Sequence, residues 1–349
     1  MNKGISNLIS QTYKWYDGIG EKSDIVISSR VRIARNINGY NFPHWCEEKI
    51  LRNIEFEIIE KLKSSHFFSN IEIFDINEIT EDQAFILIER NLISNDFLKN
   101  RGRILITNKN KSFFIILNEE DHIRIQIFES GIEVKRAWKK LSEIDDELQN
   151  LFIFAFDKKY GYLTSCPTNC GTGLRASIMI HLPALVYTKK ISSAFKVANK
   201  VGLVVRGIHG EGTESLGNLY QISNQTCLGL TEQEIIDNLF EIGNSLVDYE
   251  EKTRQNMLQK SKHEIEDMVW RSYGILTNCR IITTKESFDY LSNLRLGVSL
   301  GLIKNISLKK INELYFLIQH AHIKNLINSN NVIERLALRA EIIRTHLLS

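Results

Sequence analysis

The sequence predicts a body of mixed strands and helices at residues 24–254, followed by a helical C-terminal domain at residues 255–349. The clearest strand pattern lies in residues 103–127, where a turn-like Asn-Lys-Asn-Lys separates two apolar runs, as in a hairpin. Thr231 with Glu234 three residues on is a capping box, which predicts the start of a long helix. Beyond it the spacing is helical almost throughout. No linker rich in Pro, Gly or Ser marks a boundary, so the expected one falls inside a long helix.

Bulk composition limits the function classes. The 349 residues carry 44 Lys and Arg against 42 Asp and Glu, a net charge of +2 that argues against direct nucleic-acid binding. No apolar run reaches the about 18 residues of a membrane span. The five cysteines are odd in number and scattered, without zinc spacing, which indicates free thiols in a reducing compartment and no metal site. We therefore expect a cytoplasmic protein.

The first elements bring two arginines together. Residues 1–23 predict a short helical lead-in, and residues 24–33 predict a strand. Alternate residues of a strand share a face, so Arg30 and Arg32 point the same way. Either an anion lies beside them, or this is an exposed basic edge strand.

The next stretch predicts helices and strands around an acidic cluster. Residues 47–63 have helical spacing, whereas residues 84–93 are apolar with charged interruptions and are expected to form a strand. A strand that starts near residue 118 would put Glu120, His122 and Arg124 on one polar face. The cluster suits either a cross-strand salt bridge or a site that grips a cation and an anion side by side.

A small-residue loop follows an amphipathic helix at residues 134–148. It runs from Ser165 to Arg175 and is expected to lead into a helix at residues 176–187, with a further helix at residues 191–201. Such a loop before a helix exposes N–H groups that suit an anion. We expect Cys166 to face a substrate and Arg175 a phosphate, although a tight turn with a helix start explains the pattern equally well.

A second glycine-rich loop follows a short strand at residues 203–208. This loop, residues 206–215, carries Arg206 and two glutamates, one of them Glu211, and precedes a strand candidate at residues 218–226. Arginine presents a planar fork of donors that matches phosphate oxygens. Several arginines from separate polar strands or turns therefore predict a site for a nucleoside triphosphate, without a Walker A lysine loop. Two carboxylates, Glu120 and Glu211, would suit a guanidinium acceptor and would draw off its proton, because its pKa lies above about 12.

Four blocks of the sequence together resemble the phosphagen (guanidino) kinase family, closest to its bacterial branch that phosphorylates arginine in proteins. The resemblance runs over nearly the whole chain and implies an α+β fold: an antiparallel sheet flanked by helices, followed by a helical C-terminal domain that could form a homodimer. The blocks are Ser28-Ser29-Arg30-Val31-Arg32-Ile33-Ala34-Arg35, Asn118-Glu119-Glu120-Asp121-His122-Ile123-Arg124, Cys166-Pro167-Thr168-Asn169 through Arg175, and Arg206-Gly207 through Glu211.

The resemblance assigns roles to these residues. Glu120 and Glu211 would hold and deprotonate the guanidinium, Cys166 would lie beside the acceptor nitrogen, and Mg²⁺ would bridge the phosphates of ATP. The implied ATP-binding residues are Ser28, Ser29, Arg30, Val31, Arg32, Asn91, Arg124, Arg175, Ala176, Ser177, Ile178, Met179, Arg206, Gly207, Ile208, His209, Gly210 and Glu211.

The sequence departs from the family in two places. Asn91 stands where the branch usually has a His that contacts the nucleotide. A phosphoarginine-reading motif, Arg-Asp-x-x-Arg-Ala, is matched by Arg335, Arg339 and Ala340, but Leu336 replaces the Asp, so activation by phosphoarginine is expected to be weakened or absent. The two arginines are equally explained as solvated residues four apart on a helix.

The leading hypothesis is a protein arginine kinase that uses ATP and Mg²⁺. By resemblance, it would mark proteins for a Clp-type protease, act on a heat-shock repressor and work with a zinc-binding activator protein and a Clp ATPase. A kinase of free arginine or another small guanidino compound is the first alternative. The early position of Arg30 leaves no room for the helical N-terminal lid of such kinases, which predicts an open acceptor side. The second alternative is a non-catalytic adaptor that binds phosphoarginine proteins.

Overall fold

The strands form one large antiparallel sheet. A computed structural model of the chain describes residues 3–98, 103–207, 215–327, 329 and 331–349. Within these residues eight strands pair in the order β2-β3-β4-β5-β1-β8-β10-β9, and β6 pairs with β7. The strands are β1 (Val26–Arg35), β2 (Ile71–Asp75), β3 (Ile104–Asn108), β4 (Phe114–Leu117), β5 (Ile123–Ser130), β6 (Phe156–Asp157), β7 (Gly161–Tyr162), β8 (Leu174–His181), β9 (Leu203–Gly207) and β10 (Leu219–Asn224).

Helices cover both faces of this sheet, which confirms the predicted α+β class. The helices are α1 (Lys3–Ser10), α2 (Glu48–Ser64), α3 (Glu81–Glu89), α4 (Val134–Leu151), α5 (Pro183–Tyr187), α6 (Ile191–Lys200), α7 (Glu232–Lys260), α8 (Lys262–Asn278), α9 (Thr284–Ser299), α10 (Leu308–Leu317), α11 (His320–Ile327) and α12 (Val332–Leu348).

Two apolar cores lie on opposite faces of the sheet. On one face, Ile33 and Ile125 pack with Leu141 of α4 and Leu239 of α7. On the other face, aromatic and aliphatic residues of β3 to β5 pack with the N-terminal segment and with the C-terminal helices α8, α9, α10 and α12. Trp15, for example, stacks on Phe128 with ring centroids 4.6 Å apart. The C-terminal helices are therefore held against the sheet.

The expected helix at residues 176–187 is wrong over its first half. Residues up to His181 belong to β8, which pairs with both β1 and β10. The alternation of Ala176, Ile178 and Ile180 on one side suits a strand buried between two neighbours, and long-range pairing decides between the two periods. Pro183 begins α5 at its first turn, where its missing N–H costs nothing, instead of kinking a helix.

Two other expected elements also differ. Residues 84–93 do not form a strand, since α3 ends at Glu89 and begins with a capping box between Thr80 and Gln83. The strand expected from residue 118 starts only at Ile123, because Asn118 has a φ of +53° and opens a turn. The remaining expected helices and strands are present, including α7 with its capping box at Thr231.

The expected domain boundary near residue 255 falls within α7 and stays a prediction. Among the residues that the structure describes, no helix is both long and apolar enough to cross a membrane.

Candidate active site

Two central strands carry three of the predicted phosphate-binding arginines. Arg30 and Arg32 lie two residues apart on β1, so they share a face. Arg32 is directly opposite Arg175 on β8, and Arg30 is opposite Ser177. Residues that oppose each other on antiparallel strands point to the same side. Arg175 therefore joins the other two as a strand residue, not from a helix start.

Two further strands, β5 beside β1 and β9 at the edge of the sheet, add the other two arginines to the same face. Arg124 of β5 is opposite Ala34 of β1, which is two residues beyond Arg32. On the other side, Gln221 of β10 is opposite both Met179 of β8 and Arg206 of β9. Met179 lies four residues after Arg175 and so shares its face. All five predicted arginines, which we call the arginine clamp, thus lie on one face of the sheet.

The clamp concentrates positive charge in a partly enclosed space. Burial, together with the charges of Arg32 and Arg124, holds the pKa of Arg30 well below its usual value. Burial and the charges of Arg124 and Arg175 lower the pKa of Arg32 to about 9. Arginine stays protonated at neutral pH, so these shifts reflect mutual repulsion and lost hydration. A bound polyanion would relieve both.

Several donors of the clamp have no partner within the described parts of the chain. Nε of Arg30 and both Nε and Nη2 of Arg124 are buried without a hydrogen bond there. Arg124 does form an ion pair with Glu119, and Arg30 donates to Gln126. Buried donors in folded proteins are nearly always satisfied. The open donors match the acceptor oxygens of a phosphate chain.

A cavity of about 470 Å³ lies beside the clamp. Its size falls within the about 300–1,000 Å³ of small-molecule sites. It contains seven of the implied ATP-binding residues and also aromatic residues of α9 and α10, which the sequence did not indicate. The predicted residues that line it are Ser28, Arg30, Asn91, Ser177, Met179, Arg206 and Gly207.

Other implied ATP-binding residues point elsewhere or are not described. Val31 is opposite Ala176 and Ile127, on the apolar face, and Ile178 is buried in the same core. The hydroxyl of Ser29 donates to the carbonyl of Gly131, 2.8 Å away. Ile208, His209, Gly210 and Glu211 lie outside the described residues, so the second predicted carboxylate has no position here.

The turn that carries Glu120 is tied to the loop that carries Cys166. Oδ1 of Asp121 accepts hydrogen bonds from the Ser165 N–H and from Asn36 Nδ2, both at 2.7 Å. The Ser165 hydroxyl donates to the carbonyl of Glu120 at 2.6 Å. These bonds bring the segments of the predicted catalytic residues Glu120 and Cys166 together. Along the chain, Glu120 lies four residues before Arg124 of the clamp.

Residue Glu120 is exposed, so an acceptor can reach it, although its neighbours remove part of the hydration of its carboxylate. Loss of hydration, with the charges of Asp121 and Glu119, raises its pKa. Half-buried Cys166 has its Sγ 3.0 Å from the Thr168 hydroxyl. A carboxylate with a raised pKa is a better proton acceptor than an ordinary one.

His122 is a structural residue and not part of a polar strand face. It is fully buried, its Nδ1 accepts from the Ile37 N–H at 3.1 Å, and its Nε2 lies 2.9 Å from the carbonyl of Asn41. A ring that accepts at Nδ1 and donates at Nε2 is neutral. Burial lowers the pKa of His122 to about 4. His122 thus fixes residues 37–41 against the turn that carries Glu120.

The loop before β8 is shaped by packing rather than as an anion cradle. Gly173 has a φ of +66°, and a Cβ there would lie 2.7 Å from the carbonyl oxygen of Ala34. The N–H groups of Asn169, Cys170 and Gly171 all bond to carbonyls of the protein. The loop ends in a strand, so the helix terminus expected to bind an anion is not there.

Arg35 is an anchor that the sequence motif contained without indicating its role. It is 1% exposed, and its Nε and Nη2 bond both carboxylate oxygens of Asp145 on α4, at 3.0 and 2.7 Å. Its Nη1 donates to the carbonyl of Thr172 at 2.9 Å, and its guanidinium stacks on Tyr162. One side chain thus joins β1, α4 and the Cys166 loop.

Arg335 and Arg339 differ in burial and in the hydrogen bonds that they donate within the protein. Arg339 is buried and donates to the carbonyls of Ile318 and Ile282, at 2.8 and 3.1 Å. Half-buried Arg335 donates to the carbonyl of Ser329, and Ala340 is buried. Phosphoarginine binding by these residues stays a prediction, and Arg339 has a structural use already.

Comparisons with known proteins show which families this chain is similar to. Residues 53–253 match the family described as ATP:guanido phosphotransferase, C-terminal catalytic domain. Residues 262–349 match the protein-arginine kinase McsB C-terminal domain. A protein-arginine kinase of Desulforamulus reducens is 42% identical over 352 residues, 99% of this chain and 98% of that one. A protein-arginine kinase of Bacillus cereus is 44% identical over 322 residues, 91% of this chain and 89% of that one.

Solved structures share the fold. A lombricine kinase has a TM-score of 0.58 at 26% identity and covers 71% of each chain. The duplicated taurocyamine kinase from Schistosoma mansoni, with bound transition state analog components, has a TM-score of 0.61 at 25% identity. That match covers 76% of this chain and 39% of the duplicated one.

Proposed function

Because the chain belongs to the ATP:guanido phosphotransferase family, in its protein-arginine kinase branch, we propose that it transfers the γ-phosphate of ATP to arginine side chains of proteins. The observation that carries this proposal is the arginine clamp on one sheet face, next to the turn of Glu120. Phosphoryl transfer requires mainly positioning and stabilisation of negative charge. A clamp of five guanidinium groups would supply the stabilisation of negative charge.

The clamp would bind the phosphate chain of ATP. The open donors of Arg30 and Arg124 support this role, as do the burial and the neighbouring positive charges that lower the pKa of Arg32. Arg206, exposed at the cavity rim, would reach the nucleotide from the edge of the sheet. Fixed donors that need no rearrangement during the reaction stabilise the charge that the transition state develops.

Glu120 would hold and deprotonate the acceptor. One guanidinium nitrogen of the substrate arginine attacks the γ-phosphorus, its bond to phosphorus forms, and the bond to the ADP oxygen breaks. The proton of that nitrogen would pass to a carboxylate, for which Glu120 and Glu211 are the candidates. Cys166, held beside Glu120 through Ser165, would contact the acceptor.

Mg²⁺ would accompany ATP. Among the described residues no group of three or more His, Cys, Asp or Glu side chains could hold a metal ion. This fits a cation that is carried mainly by phosphate oxygens and water, as Mg²⁺ commonly is. When bound, it would neutralise part of the phosphate charge.

The reaction can be tested by its product. The protein is incubated with Mg²⁺ and γ-labelled ATP, with an arginine-rich unfolded protein in one tube and free arginine in another. We expect label on the protein alone, and loss of that label in acid, since a phosphorus–nitrogen bond hydrolyses there and a serine phosphate does not. Label on free arginine would instead place the chain with the small-molecule kinases.

Matched variants separate catalysis from binding. Glu120→Gln should abolish labelling while ATP still binds, because the amide cannot accept the proton. Glu47→Gln, which changes an exposed carboxylate at the start of α2, should label normally. Labelling by Glu120→Gln at the wild-type rate would refute the role of Glu120. If the wild-type protein bound ATP but labelled neither acceptor, the adaptor alternative would be favoured.

The wider roles are proposed from the family alone. Phosphorylated proteins would pass to a Clp-type protease, a heat-shock repressor would be one substrate, and a zinc-binding protein would activate the kinase in the cytoplasm. A homodimer through the C-terminal helices belongs to the same group of proposals. Co-purification of the chain with a Clp ATPase, and its mass in solution, test these points directly.

A further inference from the structure

The cavity beside the clamp is lined by two chemically different groups of residues, which we call its polar end and its apolar end. One end carries the guanidinium groups of Arg30 and Arg206 and the hydroxyls of Ser28 and Ser177. These groups come from strands β1, β8 and β9. They suit the phosphates of a nucleotide, as proposed above. The other end is apolar and comes largely from another part of the chain.

Helices α9 and α10 form much of this apolar end. Phe288 of α9 and Tyr315 and Phe316 of α10 line it, together with Ile88 and Leu219. The rings of Phe288 and Tyr315 lie 5.2 Å apart at an interplanar angle of 39°. These three aromatic residues belong to the region matched by the C-terminal family model and not to residues 53–253. Aromatic walls of this kind bind the flat face of a nucleobase.

A polar group with unused bonding capacity stands at the same end. Gln319 is 6% exposed and lines the cavity, and its Nε2 donates to the carbonyl of Tyr315 at 2.9 Å. A carbonyl accepts only from a donor, so this bond fixes the amide orientation. Oε1 has no hydrogen bond from the described residues. Such an amide matches an amino group and the adjacent ring nitrogen of adenine.

This wall is anchored to the sheet side of the cavity. Glu89 at the end of α3 also lines the cavity, and its carboxylate accepts from the N–H groups of Ala321 and His322, at 2.7 and 3.2 Å. Arg90 donates from Nε to Nε2 of His322 at 3.0 Å. These bonds hold the start of α11, next to Gln319, in a fixed position.

We propose that α9, α10 and Gln319 form the base-binding end of the nucleotide site. The C-terminal helical region would then select the purine base, while the arginine clamp binds the phosphates. The inference rests on the proposed function, because the clamp defines which end takes the phosphates. It assigns a specificity role to Gln319, Tyr315 and Phe288.

The first test compares ATP with inorganic tripolyphosphate, which has the charge and lacks the base. Binding of each is measured by calorimetry at fixed Mg²⁺, with the full-length protein. The wild type should bind ATP about tenfold more tightly, as expected for one base on an aromatic wall. Gln319→Met keeps the side-chain volume and removes the amide, so it should weaken ATP binding about fivefold and leave tripolyphosphate binding unchanged.

Control variants separate this inference from the proposed function. Arg206→Ala should weaken both ligands equally, and Lys309→Ala, exposed on α10 away from the cavity, should change neither. Equal affinity of the wild type for ATP and tripolyphosphate would overturn the base site and leave the clamp standing. Binding of neither ligand would overturn both proposals. Loss of both ligands in Gln319→Met would also contradict a base-specific role.

A second test does not depend on any variant. The wild-type protein is photolabelled with 8-azido-ATP and digested, and the modified peptides are identified by mass spectrometry, with excess tripolyphosphate and excess ATP as competitors. Label in peptides that span residues 284–319, removed by ATP, supports the proposal. Label confined to peptides of the sheet would refute it.

Discussion

The neutral, buried His122 predicts a specific loss of stability in acid. The folded protein holds this ring between an N–H donor at Ile37 and a carbonyl acceptor at Asn41, and burial lowers its pKa to about 4. In the unfolded chain the pKa returns to about 6.5. The perturbation is therefore a change of pH from neutral to about 4.5, with His122→Gln as the comparison.

The size and the sign of this loss of stability follow from the linkage between proton binding and folding. Below about pH 6.5 the unfolded state binds a proton at His122 that the folded state does not bind, so acidification favours unfolding. Each pKa unit corresponds to about 1.4 kcal/mol. The stabilisation is fully present above about pH 6.5 and is lost as the pH falls to about 4. The total loss from this residue is about 3 kcal/mol.

The assay is the free energy of unfolding from urea titrations at several pH values between about 7 and 4.5. His122→Gln removes the titrating ring, so the wild type should lose more stability over this range than the variant, by about 2–3 kcal/mol. His44→Gln, at an exposed position of the neighbouring loop, controls for loss of a histidine. If the difference in the free energy of unfolding between wild type and His122→Gln were the same at about pH 7 and about pH 4.5, the argument would be refuted.

Three further predictions concern the clamp, the anchor and the acceptor site. Arg32→Ala should weaken ATP binding by at least about tenfold, since charged hydrogen bonds contribute about 1.5–3 kcal/mol, whereas Arg136→Ala on exposed α4 surface should not; titration calorimetry measures both. Asp145→Ala should cost about 3–5 kcal/mol in the free energy of unfolding, because it leaves Arg35 buried without its partner, and unchanged urea curves would contradict that. The raised pKa of Glu120 should make kcat fall on acidification at a higher pH than an ordinary glutamate would, and a pH–rate profile flat down to about 4.5 would exclude it as the base.

The local patterns of the sequence were sufficient for much of the fold. The alternation of Arg30 and Arg32, the hairpin of β3 and β4 and the capping box at Thr231 depend on neighbours a few residues away. The start of α3 also carries a local signal, since Thr80 and Gln83 form a capping box. That pair predicts a helix, whereas the apolar pattern of residues 84–93 predicts a strand.

The errors arose where distant contacts decide the local structure. Residues 176–181 have an apolar pattern that fits either period, and they form a strand because β1 and β10 pair with both sides. The sequence of the glycine-rich loop before β8 predicts an anion cradle, but the shape of the loop follows from its close approach to the backbone at Ala34. Neither contact can be deduced from neighbouring residues.

By itself, the sequence determined which residues are the candidates for the chemistry: the arginines, the carboxylates and Cys166 stand in a few short blocks with a family-specific order. Only the tertiary structure decided how they meet. The strand register places Arg32 opposite Arg175, although 143 positions separate them, and puts Arg206 on the same face through β10. Strand pairing across long separations depends on the packing of the whole sheet, and so does the placement of Phe288, Tyr315 and Gln319 at the end of the cavity. The types of residue at the site follow from sequence motifs, whereas the meeting of these residues at one place is a property of the folded chain.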